Sequence, residues 1–236
     1  MRVDSVPEAT LRRLPSYYHY LLRLREKGQE VTSAAQIGAA LGVHHTQVRK
    51  DLAVTGSQGR PKVGHRVDDL IASIEEFLNW NNVSDAFLVG VGHMGTALLG
   101  YPGFERAGVR IVAAFDASPR RAGKKIQGVS VLPVEKFPDL ARRMHIAIGI
   151  LTVPAEDAQD VAEMMVASGI QAIWNFAPIV LDLPENVIVE DVALYSSLGV
   201  LSRRLAVRRK AATSPVSNGA GPESLSRGGL RGTPSP

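Results

Sequence analysis

Through the first third of the chain, apolar positions recur at steps of three and four, the period of helices that bury one face. Pro7 and Pro15 each suit a first helical turn, so two short helices are expected, the second ending at Gly28. The stretch SAAQ, Ser33 to Gln36, has the form of a capping box and starts a helix that runs to Leu41. Gly42 and Val43 make the turn, and Gly38 leaves room for a close helix crossing. A third helix, HHTQVRKDLAVT, ends at Gly56. The alternating piece RPKVGHRV suits a β-hairpin wing. VDDLIASIEEFLNW then places Val67, Leu70, Ile71, Ile74 and Leu78 on one helical face, and Asn81 and Asn82 mark a break.

Beyond that break the pattern changes to short apolar runs alternating with helical stretches. AFLVG, VRIVAAF, HIAIGIL and QAIWNF read as strands, NVIVEDV adds another, and helices fill the intervals. Near-continuous apolar strands separated by helices indicate a parallel sheet covered on both faces. A last helix, about Ala193 to Lys210, carries Leu194, Leu198, Leu201 and Leu205 on one stripe. The remainder, 211–236, is dominated by Gly, Pro, Ser, Ala and Thr and reads as a disordered tail.

Composition narrows the class. The 236 residues suffice for two small cores, and no apolar run approaches the roughly 20 residues of a membrane helix. The N-terminus lacks the apolar core of a secretory signal, which fits a cytoplasmic protein with no membrane partner. With no cysteine there are no disulfides, no Cys-ligated zinc and no thiol redox chemistry. Net charge is +2 over residues 1–82, −4 over 83–202 and +6 over 203–236, so a polyanion would meet an end and not the middle.

Two constellations carry chemistry. Gly90-x-Gly92-x-x-Gly95 follows a strand and opens a helix, and Asp116 ends the next strand 21 residues later. Gly90 permits the turn, Gly92 lets a pyrophosphate approach the backbone, and Gly95 lets helix and strand pack closely. Asp116 is placed to accept from both adenosine ribose hydroxyls and to repel a 2′-phosphate, favouring NAD(H) over NADP(H). Arg120 and Arg121 nearby have the chemistry of a phosphate site. Val91, His93 and Met94 lie within the loop. Thr152 and Pro154 leave the third strand, and Asn175 and Phe176 the next, as candidate walls of the same crevice. This is a Rossmann domain over 83–192, an α/β, doubly wound arrangement.

The second constellation is a helix–turn–helix. Val48 and Leu52 point inward on the third helix, which turns Thr46, Gln47 and Lys50 outward with Arg49 at the flank. These types suit base edges in a major groove, and Arg60 and Lys62 on the wing suit phosphates or the minor groove. Residues 1–82 are therefore expected to form a winged helix-turn-helix domain that binds double-stranded DNA. His44 and His45 read as capping or phosphate-contact residues, because further metal ligands at suitable spacing are lacking, so no metal is expected.

QVRKDL (47–52), GVGHMGTALLGYPGF (90–104), AAFDASPRRAGKKIQGV (113–129), LTVPAEDAQ (151–159) and GIQAIWNFAPIVLDLPENV (169–187) together resemble the Rex family of redox-sensing transcriptional repressors. The resemblance implies a homodimer in which the C-terminal helix, 193–210, is exchanged between subunits. It implies that NADH releases a palindromic operator and that NAD+ competes. It also implies that the tyrosine of YPGF, Tyr101, is a cofactor-binding residue whose usual partner is the aspartate of an Asp-Phe pair after the last strand. The chain departs from the family at His19, Gln58, Pro61 and His65. Ala193 and Leu194 stand where an Asp-Phe pair is usual. The resemblance thus points to a divergent paralogue whose discrimination between NADH and NAD+ is reduced or reversed. The competing classes are an NAD-dependent oxidoreductase, which needs a substrate pocket and an acid–base group, and a CoA-binding module. The small N-terminal region argues against the first, and Asp116 against the second.

Overall fold

The computed structural model describes residues 6–60, 63–192 and 194–213. The chain begins with α1 (Glu8–Glu26), one continuous helix where two were expected. Pro15 lies inside it and removes the hydrogen bond that Leu11 would accept, a loss of about 3 kcal/mol in an exposed helix. The helix continues because Thr10, Leu14, Tyr17, Tyr18, Leu21 and Leu24 form one unbroken buried face across the proline.

The next elements are β1 (Val31–Thr32), α2 (Ala34–Leu41), α3 (His45–Val54), β2 (His65–Arg66) and α4 (Val67–Phe77). Ser33 caps α2, its Oγ accepting from Gln36 N at 3.1 Å. The reciprocal half of the expected capping box is absent. The Gln36 side chain turns to Thr32 and Gln29 instead, accepting from Thr32 Oγ1 at 3.1 Å and Gln29 Nε2 at 3.0 Å. Gly38 does permit a close approach, since a Cβ there would run into the Val43 carbonyl oxygen of the α2–α3 turn. The wing differs from the expected self-contained hairpin. β2 pairs antiparallel with β1, from before α2, and Arg60 and Gly64 form an isolated antiparallel bridge. A two-residue strand such as Val31–Thr32 leaves no period to read. Pro61 and Lys62 lie outside the described residues.

The polar centre of this helical core is Asp51, which is completely buried on α3. Its carboxylate accepts from Arg13 Nε at 2.7 Å and Nη2 at 2.8 Å, Tyr17 Oη at 2.7 Å, Thr10 Oγ1 at 2.9 Å and Gln47 Nε2 at 2.8 Å. Three of those four partners belong to α1, so the ion pair and its hydrogen bonds fasten α3 to the helix behind it. Around it pack Leu14, Leu21, Ile37, Val48, Leu52 and the Val67, Leu70 and Ile74 face of α4.

Residues 84–191 form a seven-stranded sheet with β3 (Ser84–Val89), β4 (Val109–Asp116), β5 (Lys125–Ile126), β6 (Val129–Pro133), β7 (Ile148–Leu151), β8 (Ala172–Asn175) and β9 (Ile188–Asp191). Between them lie α5 (His93–Leu99), α6 (Gly103–Arg106), α7 (Phe137–Arg143) and α8 (Ala155–Ala167). The spatial order is β5-β6-β4-β3-β7-β8-β9, parallel except for the β5–β6 hairpin. Sequence reading missed β5, β6 and the short α6. The hairpin turns at Gln127 and Gly128, both at positive φ (51° and 82°). Two positive-φ residues make the turn favoured in tight hairpins, but Gln in place of Asn or Asp at its first position hid the signal. The order reverses on either side of β3, and that reversal opens a crevice at the carboxyl ends of β3 and β7. Phe87, Phe115, Phe137, Leu151 and Met165 pack one face, and Leu88, Val91, Ala114 and Ile150 the other.

Residues from 193 onward form a separate unit, of which α9 (Leu194–Thr213) is described. Tyr195, Leu198, Leu201 and Leu205 are all exposed along this helix.

Burial alone would raise the pKa of Asp51, but hydrogen bonds from Arg13, Tyr17, Gln47 and Thr10 outweigh burial and hold it at about 2. Because the folded pKa is depressed, its contribution is fully present above the ordinary carboxylate range and is lost as pH falls towards 2. Asp51→Asn leaves Arg13 facing a neutral amide, so urea denaturation of the full chain should show a loss of about 3 kcal/mol. That loss should shrink as the pH is lowered through the same window. An unchanged urea midpoint would remove Asp51 from the centre of the fold.

Candidate functional sites

The crevice at the β3–β7 reversal has a volume of about 780 Å³, within the usual range of small-molecule sites. Its floor is the glycine loop. Gly90 has φ of 100°, and a Cβ there would stand 2.8 Å from the Thr152 carbonyl. Gly95 lies one turn into α5, where a Cβ would overlap the Gly90 carbonyl oxygen. Both positions therefore need glycine, one for conformation and close approach and the other for close approach alone. Thr152 ties the loops together, its Oγ1 donating to Gly90 O at 2.6 Å and Val89 O at 3.1 Å. No side chain caps α5, so the N–H groups of its first turn are left for an anion at the crevice.

Gly90, Gly92, His93, Met94, Asp116, Thr152, Pro154 and Phe176 line this crevice, and the structure thus brings most of the expected residues together. Four do not line it: Gly95 is buried in α5, and three more are placed elsewhere. Val91 buries its side chain in the core and offers only its N–H, which donates to Asp116 Oδ2 at 2.7 Å. Asn175 is fully buried and structural. Its Nδ2 donates to Ile179 O at 3.0 Å and Asp191 Oδ1 at 2.8 Å, and its Oδ1 accepts from Ala177 N at 2.9 Å. Tyr101 stands 56% exposed, edge-on to Phe104, in a separate groove with Leu98, Arg110 and Gln127. It lies past the end of α5, where the helix carries it away from the loop.

Asp116 lies where expected but is engaged differently. It is buried, and besides Val91 N it accepts from Ser118 N at 2.8 Å and Arg121 Nη1 at 3.3 Å. A carboxylate offers about four acceptor positions, so one remains, not the two that a pair of ribose hydroxyls would need. Of the two arginines noted as a phosphate site, Arg121 lines the crevice; Ser118, Val134, Val153, Asp157, Asp160 and Val161 also line it and were missed as site residues. Most follow the ends of β4 and β7, and that position was the available signal. Val134 follows β6, a strand the sequence pattern did not reveal.

On α3, Thr46, Arg49 and Lys50 are exposed. Gln47 departs from the expected outward pose: it is half-buried, because its amide donates to Asp51. His44 is the N-cap of α3, with Nδ1 accepting from Thr46 N at 3.4 Å and lying 2.8 Å from Thr46 Oγ1. Arg49 and exposed Arg60 share a cleft with Ser33, Ser57 and His65, between α3 and the 57–65 segment. His65 contacts Ser57 Oγ at 3.2 Å, and burial lowers its pKa. The basic surface therefore extends from α3 towards the wing. Among the described residues there is no group of three or more His, Asp or Glu able to hold a metal, and no helix long and apolar enough to cross a membrane.

The comparisons agree with this two-part layout. Residues 5–53 match a family described as putative DNA-binding protein N-terminus, and residues 81–179 match one described as CoA binding domain. The redox-sensing transcriptional repressor Rex of Bacteroides fragilis is 42% identical over 201 residues, covering 85% of this chain and 91% of that protein. Rex of Carboxydothermus hydrogenoformans is 43% identical over 202 residues, covering 86% and 97%. The solved structure of RSP with β-NADH has a TM-score of 0.81 at 36% identity, covering 88% of this chain and 98% of that one. RSP with β-NAD+ and operator DNA has a TM-score of 0.79 at 36% identity, covering 89% and 99%. RSP is described as a Rex-family repressor. On these similarities and the geometry that accompanies them, the chain belongs to the Rex family.

Proposed function

We propose that this chain is a transcriptional repressor that binds operator DNA through its N-terminal domain and senses the NADH/NAD+ ratio through its Rossmann domain. The observation that carries the reading is the relative crystallised with NAD+ and operator DNA together, which is similar to this chain over 89% of its length. Residues 1–82 present Thr46, Arg49 and Lys50, with Arg60 beside them, to DNA. Residues 83–192 hold the dinucleotide against Gly90, Gly92, His93 and Met94, with Thr152, Pro154 and Phe176 as walls. No hydride is transferred. The nucleotide acts by stabilising one arrangement of the protein over another, and the shift is limited by its difference in affinity for the two.

The exposed stripe on α9 supports a homodimer with exchanged C-terminal helices. An isolated helix with Tyr195, Leu198, Leu201 and Leu205 in water lacks the apolar burial that normally stabilises helices. A twofold dimer suits a palindromic operator. A cytoplasmic location follows from the role. Two departures, Ala193 and Leu194, bear on the sign of the response. Ala193 lies outside the described residues, and the Tyr101 hydroxyl has no hydrogen-bond partner among them.

A duplex enriched from a random pool serves as the operator. Its fluorescence anisotropy should rise on adding the protein, and NADH should reduce the affinity about tenfold or more, equivalent to at least 1.4 kcal/mol of differential binding. Equal grip on the duplex with and without either nucleotide would dispose of the sensor. Titrating NADH and NAD+ separately measures how far the departures weaken discrimination. Lys50→Ala should cost about 1–3 kcal/mol of DNA affinity while leaving nucleotide binding intact. Truncation after Val192 should convert a dimer to a monomer in sedimentation equilibrium. A truncated chain that stays dimeric would separate α9 from assembly.

A further inference from the structure

Resting on the dinucleotide reading above, the geometry points to a second ligand for the same crevice. We infer that it accepts the 2′-phosphorylated dinucleotide NADP(H) as well as NAD(H), with Arg121 and Ser118 as the residues that receive the phosphate.

Asp116 is the group expected to exclude such a phosphate. Its carboxylate is buried and braces the loop through the N–H groups of Val91 and Ser118. Its charge is further matched by Arg121, whose guanidinium lies 3.3 Å from Oδ2. The acid and the base together leave this end of the crevice with no net charge to repel a dianion. NAD(H) must compete with Arg121 for Asp116, because the carboxylate has one acceptor position left for two ribose hydroxyls.

Arg121 has the opposite balance. Its side chain is 46% exposed, it lines the crevice, and only one of its five N–H donors is used, in a long contact to Asp116. A guanidinium presents paired donors that match two oxygens of a phosphate, and such charge-assisted pairs are the strong ones. Ser118 lines the same wall two residues after Asp116 and supplies a hydroxyl. Arg121 N and Ala122 N both donate to Ser118 O, at 3.0 and 3.1 Å, so the turn fixes Arg121 beside Ser118. The crevice has two more carboxylates, Asp157 and Asp160 on α8. α8 follows β7, and β7 lies on the other side of β3 from β4, so these acids leave the sheet away from the Ser118–Arg121 turn.

The same ribose phosphate could arrive as the 3′-phosphate of coenzyme A, and the test separates the two. Full-length protein is titrated with NADH, NADPH and coenzyme A, by nicotinamide fluorescence for the first two and by calorimetry for all three. NADPH should bind within about tenfold of NADH. Arg121→Ala should lower the NADPH:NADH affinity ratio by about tenfold or more, because one charge-assisted phosphate pair is lost while competition for Asp116 is relieved. Arg121→Lys should retain part of the ratio, and added salt should weaken NADPH more steeply than NADH. NADPH binding a hundredfold or more below NADH, or a ratio unmoved by Arg121→Ala, would overturn the inference while leaving the sensor intact. Coenzyme A binding more tightly than either dinucleotide would also overturn it, by assigning the phosphate site to another ligand. If NADH itself fails to bind, the dinucleotide reading falls and this inference with it.

Discussion

A buried carboxylate that cannot stand alone sets the geometry of the DNA-facing half. Asp51 is removed from water and would be costly there without compensation, so every donor around it is obliged to stay. Arg13, Tyr17 and Thr10 reach it from α1, and Gln47 from its own helix. An apolar core alone would permit α3 to slide or rotate at small cost. Three side chains of α1 converging on one carboxylate fix its rotation instead. That rotation decides which face of α3 carries Arg49 and Lys50 to the outside. Hydrogen bonding at the centre is thus converted into orientation at the surface, and Gln47 contributes to the frame while lying beside the reading face.

The nucleotide half is governed by close backbone approach. Gly90 and Gly95 bring the first turn of α5 down onto the end of β3, and Thr152 clamps that turn to the end of β7. The crevice therefore lies where the sheet order reverses, and its shape is fixed largely by main-chain atoms. Side chains then tune it. Asp116 braces the loop and Arg121 partly balances the charge, so the acid at the end of β4 is a structural element before it is a ligand. A sequence fingerprint assigns this acid to the ribose because it knows the spacing but not the other donors.

Much of this was legible from pattern. The three- and four-residue period revealed the helices of the first domain, and the apolar runs revealed β3, β4, β7 and β8, because burial imposes those periods. Most of the crevice could be read as well, since the glycine loop and the ends of successive strands converge in any sheet of this order. What escaped reading depended on partners distant in sequence. β1 exists only because β2 pairs with it, α1 survives Pro15 only because its whole face is packed, and the β5–β6 hairpin hid behind a glutamine at positive φ. Asn175, Tyr101 and Gln47 have side chains suited to ligands, and the structure shows Asn175 and Gln47 bonded within the protein and Tyr101 turned out to another groove.

A sensor must also connect its halves without locking them. α1 carries most of the anchors of Asp51, and from the same helix Arg12 reaches Glu190 on β9 at 3.0 Å. Both of these side chains are more than half exposed, so the pair is screened and individually weak. A buried, fully bonded tie between the same elements would hold one arrangement at a cost beyond a ligand's reach, since a nucleotide can move an equilibrium only by its differential affinity. The strong polar interaction is kept inside the DNA-facing domain, where rigidity orients α3, and a weak one bridges to the last strand of the nucleotide domain. That distribution of strengths keeps α3 rigid within its own domain and leaves the Arg12–Glu190 link to β9 weak.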